Sequence, residues 1–532
     1  MDIDVLKKAL WNDLTPENLT EAGSFLYSHG READALDIIR QVSCETTDVI
    51  LLLAAYGVLV QHTAHHHLMM TILRKALLAL PEVNDEHLMS VRYDIMLHLA
   101  DQLMALGHYD ESMGLYADIL KASPQQNRLA VGEHLSACLL EAGRTEEAKT
   151  VLESWLADGP VSVPLYNNMG CALERLNRSE EAIAYYRKGV DLAPSHELIS
   201  FGFGICLLKA GHFEEGFQRY ALRSPFVINP SCWYVKDLYR LAPDVALEGK
   251  HILFYQEQGL GDTIQFIRFL PQILARGARV TLAAPSQLVR LLRQSFPEVD
   301  VRLSNEVEVE PQTQSQYHYG CPIADLPYIC GMKTEADIPP FAPYMTVPEQ
   351  DAALFARHVS ERLEKEGRPT NGKRRLRVGL VWAGGKRFLA RDVAADRRRS
   401  TNLQEMMAAL APAEVDFFSL QYGDPRQELA EGTPQPVYDL MDQVTDMADC
   451  AALMKTLDLV ISVDTAPLHL AGALGIPVWL ANRWDSCWRW GDEGTQSVWY
   501  PTLRIFRAHE SSFVPVLNEM GEALRSLVAS SS

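Results

Sequence analysis

Three stretches of this chain hold residue types at spacings that could do chemistry. In Gln256-Glu-Gln-Gly-Leu-Gly-Asp-Thr-Ile-Gln-Phe266, Gly259, Gly261 and Asp262 directly follow the apolar run His251 to Tyr255. Glycines where a strand ends and a helix begins either turn a tight corner or leave backbone bare for a ligand.

The second stretch, Asp458-Leu-Val-Ile-Ser-Val-Asp-Thr-Ala-Pro-Leu-His-Leu-Ala-Gly-Ala-Leu-Gly475, takes a buried strand into Asp464, Thr465 and Ala466 at a helix start. Pro467 suits the first helical turn. The free N–H groups and positive dipole end there would receive a phosphate, with Asp464 or Thr465 as cap and His469 one turn in. The plainer alternative makes Asp464 only a cap and His469 only packing.

The third is Val378-Gly-Leu-Val-Trp-Ala-Gly-Gly-Lys386 with Asp396-Arg-Arg-Arg-Ser-Thr401. Gly384 ends a strand, and Lys386, Arg397 and Arg399 form a basic run suited to a diphosphate leaving group, or else a solvated loop. Trp488 and Trp490 could offer a platform to a base or sugar ring, or pack beneath a loop. Gly-x-Gly-x-x-Gly after a strand, a Walker lysine motif and a serine elbow are all missing, so dehydrogenase, kinase and hydrolase readings lack their markers.

The elements that must position these residues alternate. Strands are expected at 251–255, 279–284 and 299–303, then at 376–382, 415–420, 459–463, 476–480 and 503–506. The intervening helices include 262–275, reset at Pro271, and 403–410, 450–457 and 466–474. Such alternation predicts two Rossmann-like α/β domains facing a cleft, at 249–350 and 370–510. An irregular, proline-rich stretch at 317–348 and a charged helix to Lys365 separate them. A helix at 511–532 follows.

Residues 1–225 repeat instead. Tyr166, Gly170, Ala182, Tyr186 and Pro194 fit a helical hairpin of about 34 residues, and the frame recurs with Gly107, Pro124, Gly143, Pro160 and Gly211. Stacked hairpins predict an α-solenoid, joined by a connector at 226–248, whose groove would take a peptide or partner protein, the plainer alternative being that it only caps or dimerises. His62, His65, His66 and His67 point in different directions on a helix and read as surface, not metal ligands.

The chain has 532 residues and a formal net charge of -20, which excludes a general nucleic-acid binder. Nine scattered cysteines read as reduced thiols. With no signal-like start and no spanning apolar run, a cytoplasmic protein is expected.

Taken together, the Gly259-Leu-Gly-Asp-Thr-Ile, Gly379-Leu-Val-Trp-Ala-Gly and Asp464-Thr-Ala-Pro-Leu-His motifs resemble those of bacterial tetratricopeptide-repeat glycosyltransferases. Their catalytic part is similar to the heptosyltransferases of glycosyltransferase family 9, and the architecture resembles the O-linked N-acetylglucosamine transferases, with repeats before a GT-B pair. The resemblance implies inverting, metal-independent transfer from a nucleotide-sugar, with no cofactor. It implies Asp262 as general base and Asp464, Thr465 and His469 as donor holders, with the basic run on the phosphates. If His469 lies nearer the acceptor, the base assignment moves to it. Ala466 stands where heptosyltransferases have Gly, which shifts the expectation toward repeat-bearing relatives that modify proteins, such as flagellin or another surface protein. An inactive repeat scaffold and a transferase for lipid or polysaccharide are the alternatives, and a homo-oligomer is a possible state.

Overall fold

Apolar residues at helical spacing drive the first 220 residues into paired helices, as the computed structural model of the protein shows. It describes residues 3–62, 65–81, 85–122, 128–159, 161–309, 315–368, 374–385, 390–411 and 414–531. Contacts divide the chain into two compact units, Met1–Val161 with Arg387–Ala394, and Ser162–Lys386 with Ala395–Ser532.

The first unit holds α1 (Ile3–Asn12), α2 (Pro16–Ser28), α3 (Glu32–Glu45), α4 (Val49–His62), α5 (His66–Ala79), α6 (Glu86–Ala105), α7 (Tyr109–Ala122), α8 (Arg128–Glu141) and α9 (Thr145–Asp158). The turns at Gly30, Gly107 and Gly143 have φ of 69°, 82° and 80°, the left-handed region that glycine enters most cheaply. Each closes its helix with a six-to-one bond, such as His108 N–H to Leu103 C=O at 2.8 Å. His62, His65 and His66 meet separate partners, Ser24, Glu32 and Gln102. The repeat markers Pro124 and Pro160 lie outside the described residues.

The second unit opens with two more hairpins, α10 (Val163–Arg175) with α11 (Ser179–Leu192) and α12 (Glu197–Lys209) with α13 (Phe213–Tyr220). Their turns repeat the same device at Asn177 (φ 57°) and Gly211 (φ 87°). The connector carries α14 (Pro225–Ile228) and a short 3₁₀ turn over Pro230–Val235.

The α/β part then begins. A four-stranded parallel sheet contains β1 (His251–Tyr255), β2 (Arg279–Ala284), β3 (Asp300–Leu303) and β4 (Tyr319–Pro322) in the order β3-β2-β1-β4. Its helices are α15 (Leu260–Phe266), α16 (Leu270–Ala275), α17 (Ser286–Ser295) and α18 (Leu326–Ile329). The expected helix over 262–275 is divided: it starts at Leu260 and passes through a 3₁₀ turn at Ile267–Phe269 before Pro271, which cannot donate back to that turn. β4 lies in the stretch expected to be irregular; it is four residues long, ends on a proline and pairs with β1 on one side and through a single bridge from Gly320 to Arg240 on the other, so it shows little strand patterning.

A six-stranded parallel sheet follows, of β5 (Leu376–Val381), β6 (Val415–Ser419), β7 (Val437–Asp439), β8 (Leu459–Ser462), β9 (Val478–Asn482) and β10 (Leu503–Arg507), in the order β10-β9-β8-β5-β6-β7. Its helices are α19 (Glu349–Lys365), α20 (Ala390–Arg399), α21 (Leu403–Leu410), α22 (Met447–Met454), α23 (Ala466–Ala473) and α24 (Val514–Ser531). The charged helix α19 nevertheless buries Phe355, Val359 and Leu363, and α24 buries Leu517, Met520 and Leu524. One apolar cluster runs from Phe213, Phe217 and Tyr220 of the last repeat through the cores facing both sheets. No helix among the described residues is long and apolar enough to cross a membrane.

Candidate active site

The carboxyl ends of parallel strands aim the loops that follow them at one place, and here two helix starts meet there. From the first sheet, β1 leads through Gln256, Glu257 and Gln258 to Gly259, the N-cap of α15. Asp262, at the third helical position, turns one carboxylate oxygen back to accept from the Gly259 N–H at 2.8 Å. Gly259 has φ -72°, open to any residue, so its lack of a side chain serves proximity: a Cβ there would lie 2.9 Å from Asp262 Oδ2.

From the second sheet, β8 leads into Asp464 and α23. Thr465 stands at the N-cap of α23 without a side-chain bond to the first turn; its hydroxyl is within reach of Val463 C=O and Ser462 instead. Thr465 therefore does not make the expected cap, and the first-turn N–H groups of α23 receive no acceptor from its side chain. Asp464 lies 3.9 Å from His469 Nε2. Burial alone would raise its carboxyl, but His469, Arg483, Arg489 and Arg399 outweigh that and hold it below the usual range.

His469 is 5% exposed, with Nδ1 3.0 Å from the Tyr500 hydroxyl and its ring stacked 5.6 Å from Trp490. Burial pushes its pKa down to about 4, against the pull of Asp464, with Arg489 adding to the lowering. The imidazole is thus neutral at pH 7 and a weak proton acceptor. Gly261 lets α15 press against this ring.

Arg489 bridges the two halves. It pairs with Asp262 Oδ1, donates from Nε to Gln265 Oε1 at 2.5 Å, and lies 4.4 Å over the Trp488 ring. Burial opposes its charge, but Asp262 and other neighbours keep it firmly protonated.

The basic run is not a loop but the last turn of α20. Arg399 donates to Asp396 at 2.8 and 2.6 Å, and Arg398 donates to Asp485 at 2.8 Å. Arg397 is exposed. Gly384 accommodates Arg399 at close quarters, since a Cβ would stand 2.6 Å from its Nη2. Lys386 lies outside the described residues. Asp464, Ala466, His469 and Gly261 are thus brought together with Asp262, while Arg397 is directed to solvent.

Of the two tryptophan readings, Trp488 takes the packed one. It stacks on Phe266 at 6.2 Å and meets Phe217, Tyr220 and Trp499 edge-on or tilted. Trp490 is 3% exposed against His469, and its indole N–H has no hydrogen-bond partner among the described residues. Sequence reasoning does not single out Arg489, Arg483, Arg398 or Tyr500. A signal exists for Arg489, the one charge within Trp488-Arg-Trp490, a segment that draws attention through its rings.

Comparison with known proteins finds similarity in the repeats and in part of the second sheet. Residues 103–169 and 163–196 match tetratricopeptide repeats, and residues 424–479 match the glycosyltransferase family 9 (heptosyltransferase) family. The chain is thus similar to tetratricopeptide-repeat proteins in one part and to family 9 glycosyltransferases in another. That segment holds β8, Asp464 and His469 but not the Asp262 turn. Protein FlbA of Caulobacter vibrioides is 26% identical over 454 residues, covering 75% of this chain and 73% of its own. Among solved structures, the tetratricopeptide protein TTC0263 of Thermus thermophilus is 17% identical, with a TM-score of 0.26 over 39% of this chain and 89% of its own. MamA from Desulfovibrio magneticus is 18% identical, with a TM-score of 0.26 over 33% and 90%.

Proposed function

We propose that this protein is an inverting, metal-independent glycosyltransferase of GT-B arrangement, moving a sugar from a nucleotide-sugar to a hydroxyl of an acceptor protein selected by the repeats in the cytoplasm. The observation that carries the reading is the meeting of Asp262, Arg489, Asp464 and His469 where the starts of α15 and α23 converge.

In this reading the diphosphate lies over the uncapped start of α23, and Arg489 and Arg399 balance its charge. The acceptor hydroxyl attacks the anomeric carbon as the bond to the diphosphate oxygen breaks. The hydroxyl proton passes to Asp262, and the electron pair leaves with the nucleoside diphosphate. Arg489 then has two tasks: it holds Asp262 while the site is empty and turns toward the leaving group as charge develops. Neutral His469 orients the donor and is the weaker candidate for base.

Incubation with a panel of nucleotide-sugars, assayed for nucleoside diphosphate release, tests the proposal. A cognate diphosphate at about a hundred times its Kd would add about 2.7 kcal/mol of stability. No release, no transfer and no thermal shift with any of them would overturn it. One observation favours a second reading, a non-catalytic repeat scaffold: both Asp262 oxygens are already engaged. Nucleotide binding without turnover, unchanged by acceptor, would support that alternative.

A further inference from the structure

Both loops that form the Asp262–Arg489 pair are held from outside their sheets by the last two repeat hairpins. The loop after β9 carries Arg489 and, three residues on, Asp492. Asp492 accepts from the backbone N–H and the hydroxyl of Ser179, at 2.9 and 2.8 Å, and so anchors the first turn of the repeat helix α11. Lys209 of α12, its side chain wholly buried, lies 3.7 Å from Asp492 and 3.0 Å from Glu174. Asn177, in the left-handed turn before α11, donates to the Trp484 carbonyl at 2.8 Å.

The loop before Asp262 is held by the end of the same array. Tyr220 of α13 meets the Gln258 side-chain amide at 2.6 and 2.9 Å. Arg223 donates to Glu257 at 2.8 Å and to Asp325 at 2.7 Å, all three side chains being 2% exposed or less. Glu257 and Gln258 directly precede the Gly259 cap of α15.

Resting on the functional reading above, we propose that Asp492 and Tyr220 are positioning residues for the reaction: hairpins α10–α13 set the register between Asp262 and Arg489 and are a structural half of the catalytic centre. Ser179 is the end that a helix cap normally closes within its own chain segment, and here the closing carboxylate comes from the loop bearing Arg489. Displacement of a reacting group by about 1 Å costs about a hundredfold in rate.

The test uses the full chain carrying Asp492→Ala, Asp492→Asn or Tyr220→Phe, and reads both turnover and amide hydrogen exchange. Asp492→Ala is expected to lower kcat about 10–100-fold with KM for the donor within about threefold. It should also speed exchange at 486–490 and at 260–263, the far side of the pair. Asp492→Asn keeps an acceptor for Ser179 and is expected to restore kcat to within about threefold of the parent. Tyr220→Phe keeps the ring and removes the hydroxyl, so it is expected to speed exchange at 257–263 even where Asp492→Ala does not fold. Unchanged exchange at 257–263 in Tyr220→Phe, or loosening in Asp492→Ala confined to 177–180 and 491–494 with unchanged kcat, would overturn the proposal. Absent turnover in the parent protein would count against the glycosyltransferase reading alone, because the exchange result is read without substrate.

Discussion

Gly261 and His469 share a space with no room for one more carbon: a Cβ on Gly261 would stand 2.7 Å from His469 Cδ2 and 3.5 Å from Ala466 Cα. Helices α15 and α23 are therefore in backbone-to-ring contact, and glycine is required there by packing. Gly261→Ala is expected to cost about 1–3 kcal/mol of stability, read as a lower urea midpoint at unchanged m-value. A midpoint equal to the parent's would show that the ring moves aside freely.

Asp262 and Arg489 are expected to be coupled. Asp262→Asn keeps an oxygen for the Gly259 N–H and removes the proton-accepting charge, so turnover should fall by at least about a hundredfold with the fold intact. Comparing Asp262→Asn, Arg489→Met and the double variant by denaturation should give an interaction energy of about 1–3 kcal/mol. Additive losses would mean that the pair is incidental.

Protonation of His469 gives a pH signature. Its ordinary pKa is 6.5 and burial lowers it to about 4, so below pH 6.5 the unfolded chain takes up a proton that the folded chain refuses. Stability is accordingly unaffected by this residue above pH 6.5 and falls as pH drops from about 6.5 to 4, by up to about 3 kcal/mol. Asp464 is held below its usual value and loses its own contribution only at still lower pH. Urea midpoints at about pH 7.5, 5.5 and 4.5 should converge between His469→Gln and the parent as pH falls. Parallel pH profiles would contradict a neutral, buried imidazole.

Trp488 is expected to behave as core. Trp488→Ala should cost about 3–5 kcal/mol, whereas Trp488→Phe should leave the donor KM within about twofold. A large rise in KM for Trp488→Phe at unchanged stability would return it to the role of a ring platform.

The buried Arg223 should be among the most sensitive positions outside the site. Arg223→Met leaves Glu257 without its cation and is expected to destabilise by about 3–5 kcal/mol, measured by thermal unfolding.

The parts legible in the sequence are those with a local physical cause. The left-handed turns at Gly107, Gly143 and Gly211 repeat because each hairpin needs the same closure, and Asn177 fills the same role without being glycine. The runs at 376–381 and 459–462 read as strands because both faces are covered and apolar residues continue without alternation. β4 and β7 are hidden, being short edge strands beside prolines. At the site, Asp262, Asp464 and His469 announce themselves through helix-start chemistry. Asp492 does not, and Arg489 shows only as a charge between two rings, because a residue that acts on a partner more than 200 positions away leaves no spacing to recognise.

The aromatic face of α13 has one more consequence. Freestanding repeat arrays end in a helix with a polar outer side, which keeps the last layer soluble. Here that layer is Phe213, Phe217 and Tyr220, covered by Trp488, Trp499 and Phe266. The array has traded its terminal cap for the α/β part itself, so neither piece could be moved to a new neighbour without an oily scar, and a gene cut near residue 225 would express two sticky fragments.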